Sequence, residues 1–362
     1  MRILLVTGSF PPMKCGVGNY AASLAEALGK LRDIQVSVLT HTEARTARSD
    51  RNFEIFPIIH GWKMSDISRV VKILRHWKPD IVHLQYPTQG YRNAWLPWLL
   101  PIMLHWLNVK TVQTWHEPFP MVSLRFNLPA AITPGGLIVV RANYKSSMSP
   151  WEQWLIRHKQ FQYIHNASGI PRLEISETER SAIHQQFAPL SAQLVVYFGF
   201  MYAHKGVDLL FEIADPARHH LVLIGEFNHE DPYHKVLRER MQGRPWAGKV
   251  TATGFLPSEQ AAKILAAADA VVLPFRNGGG MWNTSLHGAI IQGTFVLTTS
   301  HERHGYEPAE NIYYAWPGNV EDMRQALQLY IGRRNCSPVT AQYYDWASIS
   351  EAHANFYKAC LE

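Results

Sequence analysis

Residues 274–299 read PFRNGGGMWNTSLHGAIIQGTFVLTT. The order is strand end, glycine-rich loop, helix, tight turn and next strand. Gly278, Gly279 and Gly280 permit backbone conformations and close approaches denied to residues with a Cβ, and the helix-starting residues Asn283, Thr284 and Ser285 follow directly. Unpaired N–H groups and the positive end of the helix dipole converge at such a start, so the loop is expected to aim free donors at a phosphate. The helix is expected to run to about Gln292, with Gly293 ending it and FVLTT forming a buried parallel strand. An ordinary loop of an α/β domain is the plainer reading of the same glycines.

Working outward, the second half alternates strands with helices. LVVYFGF (194–200) reads as a buried strand, and YAHKGVDLLFEIA then puts Lys205 and Gly206 at a helix start, where a cation and a helix N-terminus share one phosphate. A surface lysine is the bland alternative. Further strands are expected at 221–226, 250–255, 270–275, 295–299 and 312–316. This alternation predicts a parallel sheet with crossover helices.

The first half repeats the scheme. RILLVT (2–7) leads through GSFPPMKCGVGNY into a helix expected over residues 19–30, with Gly16 and Gly18 just ahead of it. That glycine pair is similar to a dinucleotide fingerprint but lacks its third glycine, with Ala21 in that place. Strands follow at 35–40, 53–59 and 80–86, with a helix over about 65–76. The strand 109–115 delivers His116 and Glu117 at its carboxyl end, where open α/β sheets bind ligands and where a histidine can bond a sugar hydroxyl or move a proton. A strand at 136–142 and a helix around 151–158 come next. IHNASGIP (164–171) breaks the pattern, so the domains are set at 1–168 and 169–342, with a last helix at about 343–362 completing the first.

At 362 residues the chain is too long for one ordinary core. With 47% hydrophobic and 18% charged residues it reads as soluble and globular, and its start is an apolar strand rather than a signal peptide, so a cytoplasmic location is expected. Cys15, Cys336 and Cys360 are odd in number and far apart, which suggests neither a disulfide framework nor a zinc knuckle. Residues 1–168 hold 19 Lys and Arg against 9 Asp and Glu, a net of +10, and the remainder holds 16 against 20, a net of −4. The basic half suits an anionic membrane or an acidic acceptor; no basic cluster is dense enough to favour nucleic acid, and a merely solvated face explains the charge equally well. Residues 92–107, RNAWLPWLLPIMLHWL, are too short and broken to span a bilayer. Trp95, Trp98 and Trp106 suit either a membrane interface or a buried core helix.

Read together, FPPMKCGVGNYAASLAEAL, VHLQYP, TWHEP, FGFMYAHKGVDLL, LVLIGE, TGFLPSEQAAKILAAADAVVLPF and the 274–299 stretch resemble the retaining family 4 glycosyltransferases (glycosyl transferases group 1). The resemblance runs nearly the full length. It implies an α/β GT-B fold, two Rossmann-like domains facing across a cleft with a C-terminal helix crossing back to the first. It also implies transfer of a sugar from a nucleotide diphosphosugar to a glycan or lipid-linked acceptor, with retained configuration. On this resemblance Gly16 and Gly18 lie beside the transferring sugar and diphosphate, and His116 contacts the donor sugar. Lys205 neutralises the diphosphate, while Gly279, Gly280, Asn283, Thr284 and Ser285 hold its β-phosphate. Gly225, Phe255 and His287 fall to the nucleoside. The leaving diphosphate gains charge in the transition state, so fixed positive dipoles suit it. No Asp-x-Asp clamp is present, and neither a metal nor another cofactor is expected.

Two features depart from the family. An arginine usual ahead of the Lys-Gly pair is replaced near Phe200, and two glutamates would fall near Gly279 and His287, where both are missing. Asn283, Thr284 or His287 are the available substitutes. The leading reading is a cytoplasmic glycosyltransferase, peripheral on the inner face of an anionic membrane, building a surface polysaccharide or another glycoconjugate. The alternatives are a catalytically degenerate GT-B-like protein that binds a nucleotide sugar or a partner, and a nucleotide-sugar epimerase, for which no acidic pair presents itself.

Overall fold

Short strands rich in Val, Leu and Ile, set between amphipathic helices, build two separate sheets. The structure, a computed structural model, describes residues 1–46, 52–118, 124–228, 230–280, 282–335 and 344–362. Cys336, Met281 and the expected start of the last helix lie outside the described residues.

The first run is β1 (Arg2–Val6), α1 (Gly16–Gly29), β2 (Gln35–His41), β3 (Glu54–Ile59), α2 (Ile67–Trp77), β4 (Ile81–Tyr86), α3 (Leu96–Trp106), β5 (Lys110–Trp115), α4 (Leu124–Ile132), β6 (Gly135–Val139), α5 (Pro150–Leu155) and β7 (Lys159–Tyr163). Its strands pair in the order β3-β2-β1-β4-β5-β6-β7, all parallel. Every residue of β4 is buried, as the centre of a sheet covered on both faces requires.

The second run is α6 (Glu177–Gln185), β8 (Gln193–Phe198), α7 (Leu210–Ile213), β9 (His219–Ile224), α8 (Pro232–Gln242), β10 (Val250–Gly254), α9 (Ser258–Ala267), β11 (Ala270–Leu273), α10 (Thr284–Ile290), β12 (Val296–Thr299), β13 (Gly305–Glu307), β14 (Ile312–Ala315) and α11 (Val320–Tyr330), and the chain then reaches α12 (Trp346–Leu361). The sheet order is β10-β9-β8-β11-β12-β14-β13, parallel except for β13 against β14.

Two compact units follow from these contacts, Met1–His165 with Trp346–Glu362, and Asn166–Asp345. The helix α12 belongs to the first unit, packing on α1, β5 and β6. It lies close because Gly136 has no side chain: a Cβ there would come within 2.8 Å of the Phe356 ring and 2.9 Å of Cys360 Sγ. In each sheet the strand order reverses beside the first strand of its run, between β1 and β4 and between β8 and β11. Ligands of such sheets bind beyond the carboxyl ends of the strands flanking that reversal.

Several local expectations need correction. The helix α1 begins at Gly16, so Gly16 and Gly18 form its first turn instead of preceding it. The turn has to pass close to the β1 loop, where a Cβ on Gly18 would sit 2.9 Å from the Ser9 carbonyl oxygen. The helix expected at Lys205 is a 3-10 turn (Ala203–Lys205), a left-handed Gly206 with φ 69°, a second 3-10 turn (Val207–Leu209) and the single turn of α7. The elements α4, α6, β7 and β13 went unread. The helix α6 buries only His184, β7 is a polar edge strand, β13 has three residues and α4 carries Pro129 inside it, so each lacks a clean periodic signal.

The Trp-rich segment divides in two. Trp98 is buried and stacked on Tyr86 at 4.6 Å, whereas Trp106 is 79% exposed and Trp95 is exposed as well. Among the described residues no helix is long and apolar enough to cross a membrane.

Candidate functional site

In the second unit the loops after β8 and β11 meet at the strand-order reversal, and they carry Lys205 and Asn283. Lys205 Nζ donates to Asn283 Oδ1 at 3.0 Å and lies 4.5 Å from the centre of the Phe275 ring. Asn283 stands at the N-cap of α10 but makes no capping bond with its side chain, which turns to Lys205 instead. The first-turn N–H groups at Thr284 and Ser285 therefore stay at an uncapped helix end beside a cation. Ser285 approaches Gly199, where a Cβ would lie 2.7 Å from its Oγ.

The glycine loop itself is more self-satisfied than its sequence implies. The Gly279 N–H donates to the Thr299 carbonyl at 2.7 Å and the Gly278 N–H to Phe275, so these two donors serve the fold and do not point free at a ligand. The Asn283 N–H likewise donates to the Gly280 carbonyl at 2.9 Å, which closes the turn ahead of α10. Gly279 is buried, with its Cα direction blocked by the Phe275 ring at 2.2 Å from any Cβ, and Gly280 abuts Trp282.

Sequence reasoning missed the brace that holds Lys205. The Arg276 N–H donates to the His204 carbonyl at 3.0 Å, its Nε donates to Ala203 at 3.2 Å, and its guanidinium pairs with Asp208 at 2.5 Å. Asp208 also accepts from the Tyr233 hydroxyl at 2.6 Å. These bonds tie the 203–208 turn to the loop after β11 and to α8. Where the family's arginine is replaced, the rings of Phe200, Tyr202 and His204 stack in a row with centroids 5.7 and 5.6 Å apart. Burial and the neighbouring Lys205 charge lower the His204 pKa, so this row presents neutral faces.

The three nucleoside candidates fare differently. Gly225 follows β9 with its N–H on the Gly254 carbonyl at 3.1 Å, and any Cβ would collide with the Gly199 carbonyl oxygen at 2.2 Å. Phe255 stands 74% exposed after β10, as a stacking surface needs. His287 is fully buried and stacked on Tyr344 at 4.4 Å, so it packs the inner face of α10 and is not presented to a nucleoside.

In the first unit His116 follows β5 and its N–H donates to the Tyr86 carbonyl at 2.7 Å. Its Nε2 lies 2.9 Å from Gln85 Oε1, and the Tyr20 ring meets it edge-on at 4.7 Å. Burial, helped by His353, lowers its pKa to about 3, so the imidazole is neutral and cannot serve as a cation near pH 7. Glu117 is engaged by Arg141 at 2.7 Å. Gly16 faces open space at the first turn of α1, and Gly18 lies against Ser9. Two unforeseen glycines shape this end of the sheet: a Cβ on Gly90 would fall 1.9 Å from the Gly8 carbonyl oxygen, so the loops after β1 and β4 touch backbone to backbone. Among the described residues no group of three or more His, Cys, Asp or Glu is placed to hold a metal ion.

Residues 15–168 match the family described as Glycosyltransferase Family 4, and residues 192–332 match the one described as Glycosyl transferases group 1. No curated protein matches the sequence. Among solved structures, HepE of Anabaena in complex with UDP is similar over 99% of this chain and 100% of that one, with 16% identity and a TM-score of 0.75. Sucrose-phosphate synthase from Thermosynechococcus elongatus is similar over 99% and 98%, with 16% identity and a TM-score of 0.74. WaaG, a glycosyltransferase involved in lipopolysaccharide biosynthesis, is similar over 99% and 98%, with 15% identity and a TM-score of 0.62. The chain thus has the GT-B fold, with its first region matching the glycosyltransferase family 4 description and its second matching the glycosyl transferases group 1 description.

Proposed function

We propose that this chain is a retaining, metal-independent glycosyltransferase that moves a sugar from a nucleotide diphosphosugar to a lipid-linked or surface-polysaccharide intermediate. The observation that carries the reading is the Lys205 ammonium held by Asn283 at the uncapped start of α10, beside the reversal of strand order. When the bond from the anomeric carbon to the diphosphate breaks, negative charge grows on the departing phosphates. A fixed ammonium and oriented N–H groups stabilise that charge more than they stabilise the bound donor. Phe255 is assigned to the base and Gly225 to the close approach beside it, while neutral His116 takes a hydroxyl of the transferred sugar.

HepE has been solved with UDP and with UDP-glucose, which makes UDP-glucose the first donor to try. The role of WaaG in lipopolysaccharide biosynthesis favours a surface-glycan acceptor. A peripheral, cytoplasmic-face location fits the +10 charge of residues 1–168 together with the exposed Trp106 and Trp154, the latter under the Arg157 guanidinium at 3.8 Å.

One observation favours a second reading, a degenerate protein that binds without turnover. At the two positions where the family places glutamates, Gly279 is walled by Phe275 and His287 is buried under Tyr344, so neither supplies a carboxylate or a substitute for one. A calorimetric screen against UDP-, GDP- and TDP-sugars, followed by turnover with the best binder and proton NMR of the product anomer, separates the two. Binding with slow hydrolysis or transfer and retained configuration supports the enzyme. Binding with no turnover supports the degenerate form, and no binding at all sinks both.

A further inference from the structure

Behind His116, within the first unit, lies a chain of buried polar side chains that no step above uses. His83 and Gln85, two residues apart on β4, share a face of the sheet, and His353 and Tyr357, four apart on α12, share a face of the helix. The two faces meet. His83 Nδ1 lies 2.7 Å from Tyr357 Oη, and His83 Nε2 lies 2.7 Å from Thr114 Oγ1 and 3.1 Å from Gln85 Nε2. Gln85 Oε1 completes the line at 2.9 Å from His116 Nε2. A second arm runs from His353, whose Nδ1 donates to the Ile349 carbonyl at 2.8 Å, leaving Nε2 to accept the Tyr20 hydroxyl at 3.1 Å. The Tyr20 ring is the wall that meets His116 edge-on.

The direction of each bond follows from the orientation of the Gln85 amide. A neutral imidazole has one donor and one acceptor, and a side-chain amide has distinct ends. With the Gln85 amide N–H directed at it, His83 Nε2 is the acceptor, taking that bond and one from the Thr114 hydroxyl, and the His83 proton sits on Nδ1 and is donated to the Tyr357 hydroxyl oxygen. The amide oxygen then accepts from His116 Nε2–H. Burial holds His83, His116 and His353 in their neutral forms, and repulsion from His353 adds to it at His83 and His116. Every link is buried, so a wrongly oriented member would leave a polar group unpaired in low dielectric.

We propose that Gln85, His83 and Tyr357 are positioning residues that fix the His116 proton on Nε2, so that Nδ1 offers a lone pair to a hydroxyl of the transferred sugar. Tyr20 and His353 hold the plane of the ring. Toward the sugar His116 is then a hydrogen-bond acceptor, and it acts neither as a general acid nor as a cation. The sugar rests on the glycosyltransferase reading; the tautomer is a property of the free protein.

The test reads the two separately. Full-length protein carrying ¹⁵N-histidine, with no donor present, should show His116 Nε2 as the protonated, pyrrole-type nitrogen and Nδ1 as the pyridine type. The Tyr357→Phe variant removes the last acceptor of the line while keeping its ring, and should give a mixture of tautomers at His116. With UDP-glucose or whichever donor is turned over, that variant should lose kcat about tenfold, the scale of one misdirected hydrogen bond, with KM changed far less. A wild-type His116 protonated on Nδ1 overturns the proposal whether or not the protein transfers sugar. So does a Tyr357→Phe protein whose His116 spectrum and kcat match the wild type. If the tautomer is as stated but no donor is bound or turned over, the sugar assignment falls with the proposed function while the positioning line stands.

Discussion

Lys205 Nζ lies 3.0 Å from Asn283 Oδ1, so the side chain that would ordinarily cap α10 holds a cation at its open end. If that cation meets the departing diphosphate, Lys205→Ala should lower turnover about 100-fold, the scale of losing one preorganised electrostatic donor. The fold should survive, because Arg276 and Asp208 hold the turn without it. A well-folded variant with near-normal turnover would remove Lys205 from the site.

The same arrangement bears on metal dependence. With Lys205 and the first turn of α10 countering the phosphates, a chelator should leave transfer largely intact. Complete loss of activity in EDTA, restored by manganese or magnesium, would contradict the assignment.

Three buried histidines set a pH dependence of stability. Burial is the leading cause at all three: it holds His83 well below its ordinary value of 6.5, His116 at about 3 and His353 at about 4. Below pH 6.5 the unfolded chain binds protons at these positions that the folded chain does not. Stability therefore falls with falling pH, through a window ending near pH 4 for His353 and near pH 3 for His116. Each fully engaged histidine contributes a slope of about 1.4 kcal/mol per pH unit. Urea unfolding between pH 7 and 5 should show the decline, and His353→Gln should flatten it by about one proton's worth. Equal slopes in the two proteins would mean that His353 is not held neutral.

Membrane association depends on which tryptophans face water. Purified protein should co-sediment with anionic vesicles at low salt, leave them as salt is raised, and ignore neutral vesicles, since screening acts within about 8 Å at physiological ionic strength. Changing Trp106 and Trp154 to Ser should weaken the salt-resistant part without unfolding the protein, because both are exposed. Trp98→Ser should instead destabilise the first unit by roughly 3–5 kcal/mol, as loss of a buried aromatic does. No sedimentation with anionic vesicles at low salt would favour a soluble acceptor.

The parallel strands of both sheets were legible because each is a short apolar run bounded by turn residues, and Lys205 and Asn283 were legible because glycines mark the loops that carry them. His83, Gln85, His353 and Tyr357 carried a fainter signal: polar residues two apart in a strand otherwise buried, and four apart on one helix. Nothing local says that these two pairs, some 270 positions apart, face each other. Arg276 was hidden for the same reason, since its partners Ala203, His204 and Asp208 are brought to it by the pairing of β8 with β11. His287 was placed by the resemblance, and chain position does not say on which side of α10 its ring packs, which is against Tyr344.

The closing of the first unit by α12 has a kinetic meaning. As the chain is synthesised, every residue of the second unit is made before the helix that brings His353 and Tyr357 to their partners, so the second unit can finish folding while the first still has an uncovered face along β5 and β6. During that interval His83 and Tyr20 lack their partners on α12, and the neighbouring apolar surface is open to wrong contacts. A chain cut short before Trp346 would stay in that state, losing the order around His116 through a lesion some 230 positions away in sequence.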